Sequence, residues 1–323
     1  MQMVNFWHQL KRPIFTLAPM FDVTDTAFRQ IIAKCGRPDV MFTEFVSVDG
    51  LAHLKSQEKL VRHYLQFVDS ERPVVAQIFG TKPLYFYEAA KLITRLGFDG
   101  IDINMGCPDK KVMKNGGGAA LALKPRLAKE IIRATQEATG NLPVSVKTRL
   151  GYDANIIDTW IPELLESKPA AITIHARTAK QMSRVPADWS SVARAVQIAK
   201  GSGVPILGNG DIKSLAEAKE KIAQTGADGI MIGRGVFENL WLFNPDIDPA
   251  QISIKERLML LLEHTILFEE HFKGVKNFVM LYKHFQNYAT GFVGAKELRM
   301  ELVQTKSAQE VEAAVMRFLT QGR

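Results

Sequence analysis

Gly100-Ile101-Asp102-Ile103-Asn104-Met105-Gly106-Cys107-Pro108 begins as a short apolar run and turns polar at its end. The turn residues Gly97-Phe98-Asp99-Gly100 precede it, so the segment reads as a strand entering a tight corner. Glycine before Cys107 and proline after it restrict that corner. Read alone, Cys107 is either a small buried hydrophobe or a reactive thiol. On the second reading Lys110 and Lys111 favour a thiolate or steer an anionic substrate. The run Asn115-Gly116-Gly117-Gly118 then lets backbone approach a ligand closely.

The same pattern repeats in both directions along the chain. Strands are expected at residues 13–20, 40–45, 73–80, 100–105, 143–149, 170–175, 204–211 and 226–235, the second closing on Glu44. Helical spacing lies between most of them, near 26–34, 84–96, 124–139, 156–165, 189–199, 214–225 and 236–240. Near-continuous apolar strands argue for parallel pairing with both faces covered. Eight such units over about 240 residues predict a (β/α)8 barrel of the TIM type, an α/β fold. Nearly every strand ends in a chemically useful residue: Met20, Glu44, Gln77, Asn104, Lys147, His175, Asn209 and Gly233. In such barrels the C-terminal rim carries the site.

Past Phe243-Asn244-Pro245-Asp246 the strands stop. Residues 254–272, 275–288, 296–303 and 308–319 have helical spacing. The division expected is a barrel over 1–245 and a small all-α bundle over 246–323. The chain has 323 residues, a net charge of +7, 46% hydrophobic residues and two cysteines. That composition is globular, excludes a disulfide framework and permits an anionic partner. The opening residues lack a signal-peptide apolar run and no long apolar span follows, so a cytoplasmic protein without a membrane segment is expected.

Two glycine-framed strand ends, Gly208-Asn209-Gly210-Asp211 and Ile232-Gly233-Arg234-Gly235, fall at the seventh and eighth strands, where barrels commonly hold phosphate. Lys147 emerges inside the barrel and needs a negative partner. The stretch Lys276-Asn277-Phe278-Val279-Met280-Leu281-Tyr282-Lys283-His284-Phe285 mixes cations with rings, which suits either an RNA-facing helix or a solvated face.

The segments 18–20 (Ala-Pro-Met), Gln77-Ile78-Phe79-Gly80, 102–108 with Lys110-Lys111-Val112, 147–151, His175-Ala176-Arg177-Thr178, Asn209-Gly210-Asp211 and Gly233-Arg234 together resemble the tRNA-dihydrouridine synthase family, in its order and spacing. Asp109 departs from the small or apolar residue many members carry there. The resemblance implies an FMN enzyme, reduced by NADPH or NADH, that reduces the C5–C6 bond of a tRNA uracil, with Cys107 as the proton donor. It implies FMN contacts from Pro19, Met20, Phe21, Gln77, Lys147, His175, Asn209, Gly210, Asp211, Gly233 and Arg234. It implies substrate contacts from Asn104, Arg149, Arg177, Lys283 and His284, with no metal and a monomeric enzyme. A small-molecule flavin reductase of the dihydroorotate dehydrogenase kind is the alternative; it needs neither the helical tail nor the basic excess.

Overall fold

The computed structural model describes residues 5–320, the side chain of Leu54 excepted. The strands are β1 (Ile14–Leu17), β2 (Met41–Phe42), β3 (Val46–Ser47), β4 (Val74–Phe79), β5 (Gly100–Met105), β6 (Val144–Arg149), β7 (Ile172–His175), β8 (Ile206–Asn209) and β9 (Gly229–Ile232). All pair in parallel, in the order β1-β9-β8-β7-β6-β5-β4-β2, with β3 also on β4. A bridge from Thr16 to Val40 joins the two ends, so the eight positions close into the expected barrel.

Around it run α1 (Thr26–Cys35), α2 (Val48–Ala52), α3 (Leu54–Tyr64), α4 (Pro83–Leu96), α5 (Lys110–Lys114), α6 (Pro125–Thr139), α7 (Ile157–Leu165), α8 (Trp189–Ala199), α9 (Leu215–Thr225) and α10 (Gly235–Glu238). The C-terminal helices are α11 (Ile254–Phe272), α12 (Tyr282–Tyr288), α13 (Ala295–Leu302) and α14 (Ala308–Thr320). Local signals set these limits. Asp25, Ser214 and Ser253 accept hydrogen bonds from first-turn N–H groups, Pro83 and Pro125 open helices, and Gly97 and Gly226 end them in left-handed conformation.

Strand alternation decides what enters the barrel. On β5, Ile101, Ile103 and Met105 pack outward in one cluster with Ala90 and Ile93 of α4 and Ile131 of α6. Asp102 and Asn104 consequently face inward. The N-terminal mouth is filled by Trp7, Ile14, Phe42, Val75, Leu207 and Met231, which leaves the opposite rim open.

Two expectations about elements are corrected. The second strand is not one run to Phe45. It breaks at Thr43-Glu44, because Thr43 Oγ1 accepts from Gln77 N at 3.1 Å and Glu44 turns inward. The segment 275–288 is not one helix: a 3-10 turn over Phe278–Leu281, capped by Asn277, precedes α12.

Beyond Asn244 every element is helical, yet the core does not divide there. Phe28, Ile31 and Ile32 of α1 share one cluster with Leu258 and Leu261 of α11, Phe285 of α12 and Val311 of α14. The outer residues of the ranges 1–245 and 246–323, namely 1–4 and 321–323, lie outside the described residues.

Candidate active site

A cavity of about 470 Å³ opens on the C-terminal rim. Ala18, Pro19 and Met20 line one wall, Lys147 and His175 the floor, and the turns 209–211 and 233–235 the far side. Strand register accounts for the grouping: Asn104 pairs with Lys147, Arg149 with His175, and His175 with Asn209. Gly210 has φ +135°, and a Cβ there would lie 2.9 Å from Ala187 Cβ, so only glycine fits that wall. Gly235 is fixed as strictly, since a Cβ would lie 2.5 Å from Ile212 O.

Lys147 Nζ donates to Asn209 Oδ1 at 3.2 Å, and Asn209 Nδ2 donates to Met231 O at 2.8 Å. Enclosure by protein and the nearby Arg149 cation lower the Lys147 pKa to about 8, with Asp102 and Cys107 acting in the opposite direction. Lys147 is therefore still mostly charged at pH 7, and the charge meets an amide oxygen rather than a carboxylate. His175 is neutral, driven far below its usual pKa by burial and then by the surrounding cations. Arg177 Nη1 lies 3.2 Å from His175 Nε2. A guanidinium only donates, so Nε2 accepts and the ring proton sits on Nδ1.

Cys107 sits beside this cavity on a braced corner. Asn104 Oδ1 accepts from Gly106 N at 3.1 Å and from Cys107 N at 2.9 Å. From the other side, Ala119 N donates to Cys107 O at 3.1 Å. Gly118, at φ +57°, would place a Cβ 2.6 Å from that oxygen. Gly118 thus serves close approach to the Cys107 backbone. Burial raises the thiol pKa; against it act the Asp109 backbone N–H and the Arg149 and Lys147 cations, while the Asp109 carboxylate adds to the rise. Lys110 and Lys111 are exposed on α5, so of the two roles open to them, favouring a thiolate or steering an anionic substrate, the raised thiol pKa does not support the first.

Arg149 and Arg177, expected to touch substrate, hold loops. Arg149 donates to Gly106 O at 2.8 Å and to Thr178 O and Met182 O at 3.1 Å each. Arg177 donates to Val185 O at 2.5 Å and pairs with Asp211. Asp211, expected at a cofactor phosphate, presents an anion there. Its carboxylate instead anchors Arg177, lies 3.7 Å from Arg234 and accepts from Ala187 N at 2.9 Å. Gln77 is wholly buried between Asp102 and Asn104, below the cavity wall.

Three residues lie elsewhere than expected. Phe21 is 48% exposed and packs against Phe45 and Tyr64 on the outer rim. His284 is buried against Phe28 and His264, out of reach of RNA, because α12 turns that face onto α1. Lys283 is exposed but donates to Asp22 O at 2.7 Å, tying α12 to the loop after β1. A pairing invisible in the sequence adds to that tie. Lys276 Nζ lies 2.7 Å from Glu44 and 3.4 Å from Asp25, over the rings of Phe272 and Tyr64. Among the described residues no group of three His, Cys, Asp or Glu is arranged to hold a metal, and no helix is long and apolar enough to cross a membrane.

The dihydrouridine synthase family model matches residues 16–321. The chain belongs to this family. It is 41% identical over 322 residues to a probable tRNA-dihydrouridine synthase of Staphylococcus aureus strain MRSA252, covering 98% of this chain and 96% of the relative. It is 42% identical over 320 residues to the probable tRNA-dihydrouridine synthase 2 of Bacillus subtilis strain 168, with 97% and 96% covered. Among solved structures, a 2-naphthoyl-CoA reductase complex matches with a TM-score of 0.54 at 12% identity, covering 71% of this chain and 49% of the other. That likeness is one of fold. Dihydrouridine synthases use FMN, and this cavity suits it. Glycine backbone and Arg234 line the end where a phosphate would lie, and Lys147 brings a cation without a paired carboxylate to the floor. Pro19, Met20, His175, Asn209, Gly210 and Gly233 complete the wall that would hold it.

Proposed function

We propose that the chain is a tRNA-dihydrouridine synthase whose cavity holds FMN and whose Cys107 protonates C5 of the target uracil. The observation that carries this reading is a half-buried thiol on a rigid corner of the same rim as the cavity, where burial raises its pKa. When bound, FMN recharged by NADPH or NADH supplies the hydride for uracil C6. Reduction of the C5–C6 bond then needs a proton at C5. A thiol kept protonated by burial carries that proton at neutral pH, and solvent restores it afterwards. Lys147 supplies positive charge toward the cofactor, and Arg234 with the 210–211 and 233–235 backbone holds its phosphate. Asn104, with both ends of its amide engaged, sets the corner and keeps one N–H for the substrate. The target base has to leave its stack to reach this rim.

The partner is tRNA, and the enzyme is a cytoplasmic monomer without a metal. The basic excess of +7 supports a polyanionic substrate. No feature of the barrel favours the small-molecule alternative, which shares the fold without needing the C-terminal helices. The test is single-turnover reoxidation of the reduced holoenzyme by tRNA lacking dihydrouridine. Cys107→Ala should retain its flavin and be reduced normally, yet be reoxidised about 10²–10⁴-fold more slowly, the usual range for a lost general acid. Reoxidation within a few-fold of the native rate would leave Cys107 a packing residue. Cys35, buried on α1, is the thiol control, and Cys35→Ala should react normally.

A further inference from the structure

Three inward-facing residues on neighbouring strands lie at one level of the barrel: Gln77 pairs in register with Asp102, and Asp102 with Ser145. Their side chains form a connected line. Ser145 Oγ donates to Asp102 Oδ1 at 2.7 Å, and Gln77 Nε2 donates to Asp102 Oδ2 at 2.7 Å. Asn104 Nδ2 donates to Gln77 Oε1 at 2.9 Å, and Asn104 Oδ1 accepts the N–H groups of Gly106 and Cys107. The polarity is single-valued at both ends. A carboxylate only accepts, and the two backbone N–H groups only donate. The two amides between them fit in one orientation, with nitrogen toward Asp102 and oxygen toward Cys107.

We propose that Asp102, braced by Ser145, is a positioning residue for the proton donor: it orients the Gln77 amide, through it the Asn104 amide, and so holds the Cys107 corner. Asp102 touches neither the cavity nor the thiol. It lies two links from Asn104 and is wholly enclosed, within the field of the Lys147 cation. Without an acceptor at position 102 the Gln77 Nε2 group is left buried and unpaired. Its amide then has no reason to keep the orientation that Asn104 requires. The inference rests on Cys107 being the proton donor, but the geometry it describes exists whether or not the chain acts on RNA.

The experiment uses the full chain with Cys35→Ala as background and reads Cys107 alkylation by iodoacetamide, which needs neither tRNA nor turnover. Asp102→Asn should behave like the parent. The substituted amide can turn its oxygen to Gln77 and its nitrogen to Ser145 Oγ, which is free to accept while donating to Ile101 O, 3.5 Å away. Asp102→Leu, similar in size and without an acceptor, should alter the alkylation rate at least about tenfold as the corner loosens. In the flavin-loaded enzyme it should also slow single-turnover reoxidation by tRNA at least about tenfold, with tRNA affinity unchanged. A folded Asp102→Leu protein that keeps the parent alkylation rate overturns the proposal. So does an Asp102→Asn protein altered as much as the leucine variant. If Asp102→Leu does not fold, Gln77→Met breaks the middle link, and alkylation alone decides: a changed rate supports the relay and an unchanged rate ends it. A parent protein that tRNA does not reoxidise, with the alkylation pattern as expected, would count against the proposed function and leave the relay standing.

Discussion

Lys147 and Lys276 are both enclosed by protein, and their surroundings differ in one respect. Lys276 lies between two carboxylates and over two aromatic rings, so its charge is matched inside the fold. Lys147 has an amide oxygen at 3.2 Å, a second cation near it, and an open cavity in front. A buried cation whose counter-charge is built in is a fastener. One with no carboxylate in direct contact is prepared for a ligand that brings the counter-charge. The first joins the C-terminal helices to the barrel, and the second faces the cofactor site.

If Lys276 is a fastener, cutting the chain where the strands end should do the greatest damage. Removal of residues after Pro245 exposes Phe28, Ile31 and Ile32 of α1 and strips Glu44 and Asp25 of their cation. The expected outcome is an insoluble or unfolded barrel, read by expression and circular dichroism. A soluble, flavin-binding truncation would show that the two parts are separable after all. Next in size is Lys276→Met in the full chain. Deleting one partner of a buried pair leaves uncompensated charge and typically costs about 3–5 kcal/mol, measurable by urea denaturation. A loss under about 1 kcal/mol would mean that the Glu44 and Asp25 carboxylates find water or protons without strain.

The same contrast explains what the sequence disclosed. Lys147 was legible because it sits at the end of an apolar strand, where period-two alternation places it inside the barrel. Eight strand ends of this kind were enough for the fold, and Cys107 and Asn104 followed from one short segment. Lys276 was not legible. It stands among Phe278, Tyr282 and Lys283 in a stretch that reads equally as a solvated or RNA-facing helix, and its partner Glu44 is 232 residues away. The break in the second strand was hidden for the same reason, since Glu44 turns inward to meet a cation that no local pattern announces. Arg149 and Arg177 carry a role that was hidden in a different way. Cations on a catalytic rim suggest substrate, and both also hold carbonyl groups of loops whose course the sequence does not show. The Asp102 relay depends on strand register, which spacing alone leaves open.

For Lys147 the comparison predicts the opposite signature from Lys276. Lys147→Met should leave urea stability unchanged or slightly raised, because a cation without a carboxylate partner is removed from an enclosed site. FMN affinity should fall about 10–100-fold, the equivalent of about 1.5–3 kcal/mol for a lost hydrogen bond to a charged group. Fluorescence titration of the flavin-free protein with FMN measures it. Unchanged affinity together with a large stability loss would make Lys147 a second fastener.

The smallest expected effect is on pH, and it separates the two lysines without altering the fold. The folded-state pKa of Lys147 is about 8, below the ordinary lysine value of 10.5. Below pH 8 both folded and unfolded chains carry the proton, and the folded chain bears the cost of burying it. Between about 8 and 10.5 the unfolded chain binds more protons, so this group makes stability rise with pH across that window. Ligand binding runs the other way. The charge that attracts an anionic cofactor is lost as pH passes 8, so FMN affinity of the flavin-free protein should decline a few-fold between about pH 7 and 9. Lys147→Arg keeps its charge throughout and should remove the decline, and Lys147→Met should be flat at a lower affinity. A decline that persists unchanged in Lys147→Met would place the titrating group elsewhere on the rim and remove the distinction drawn between the two lysines.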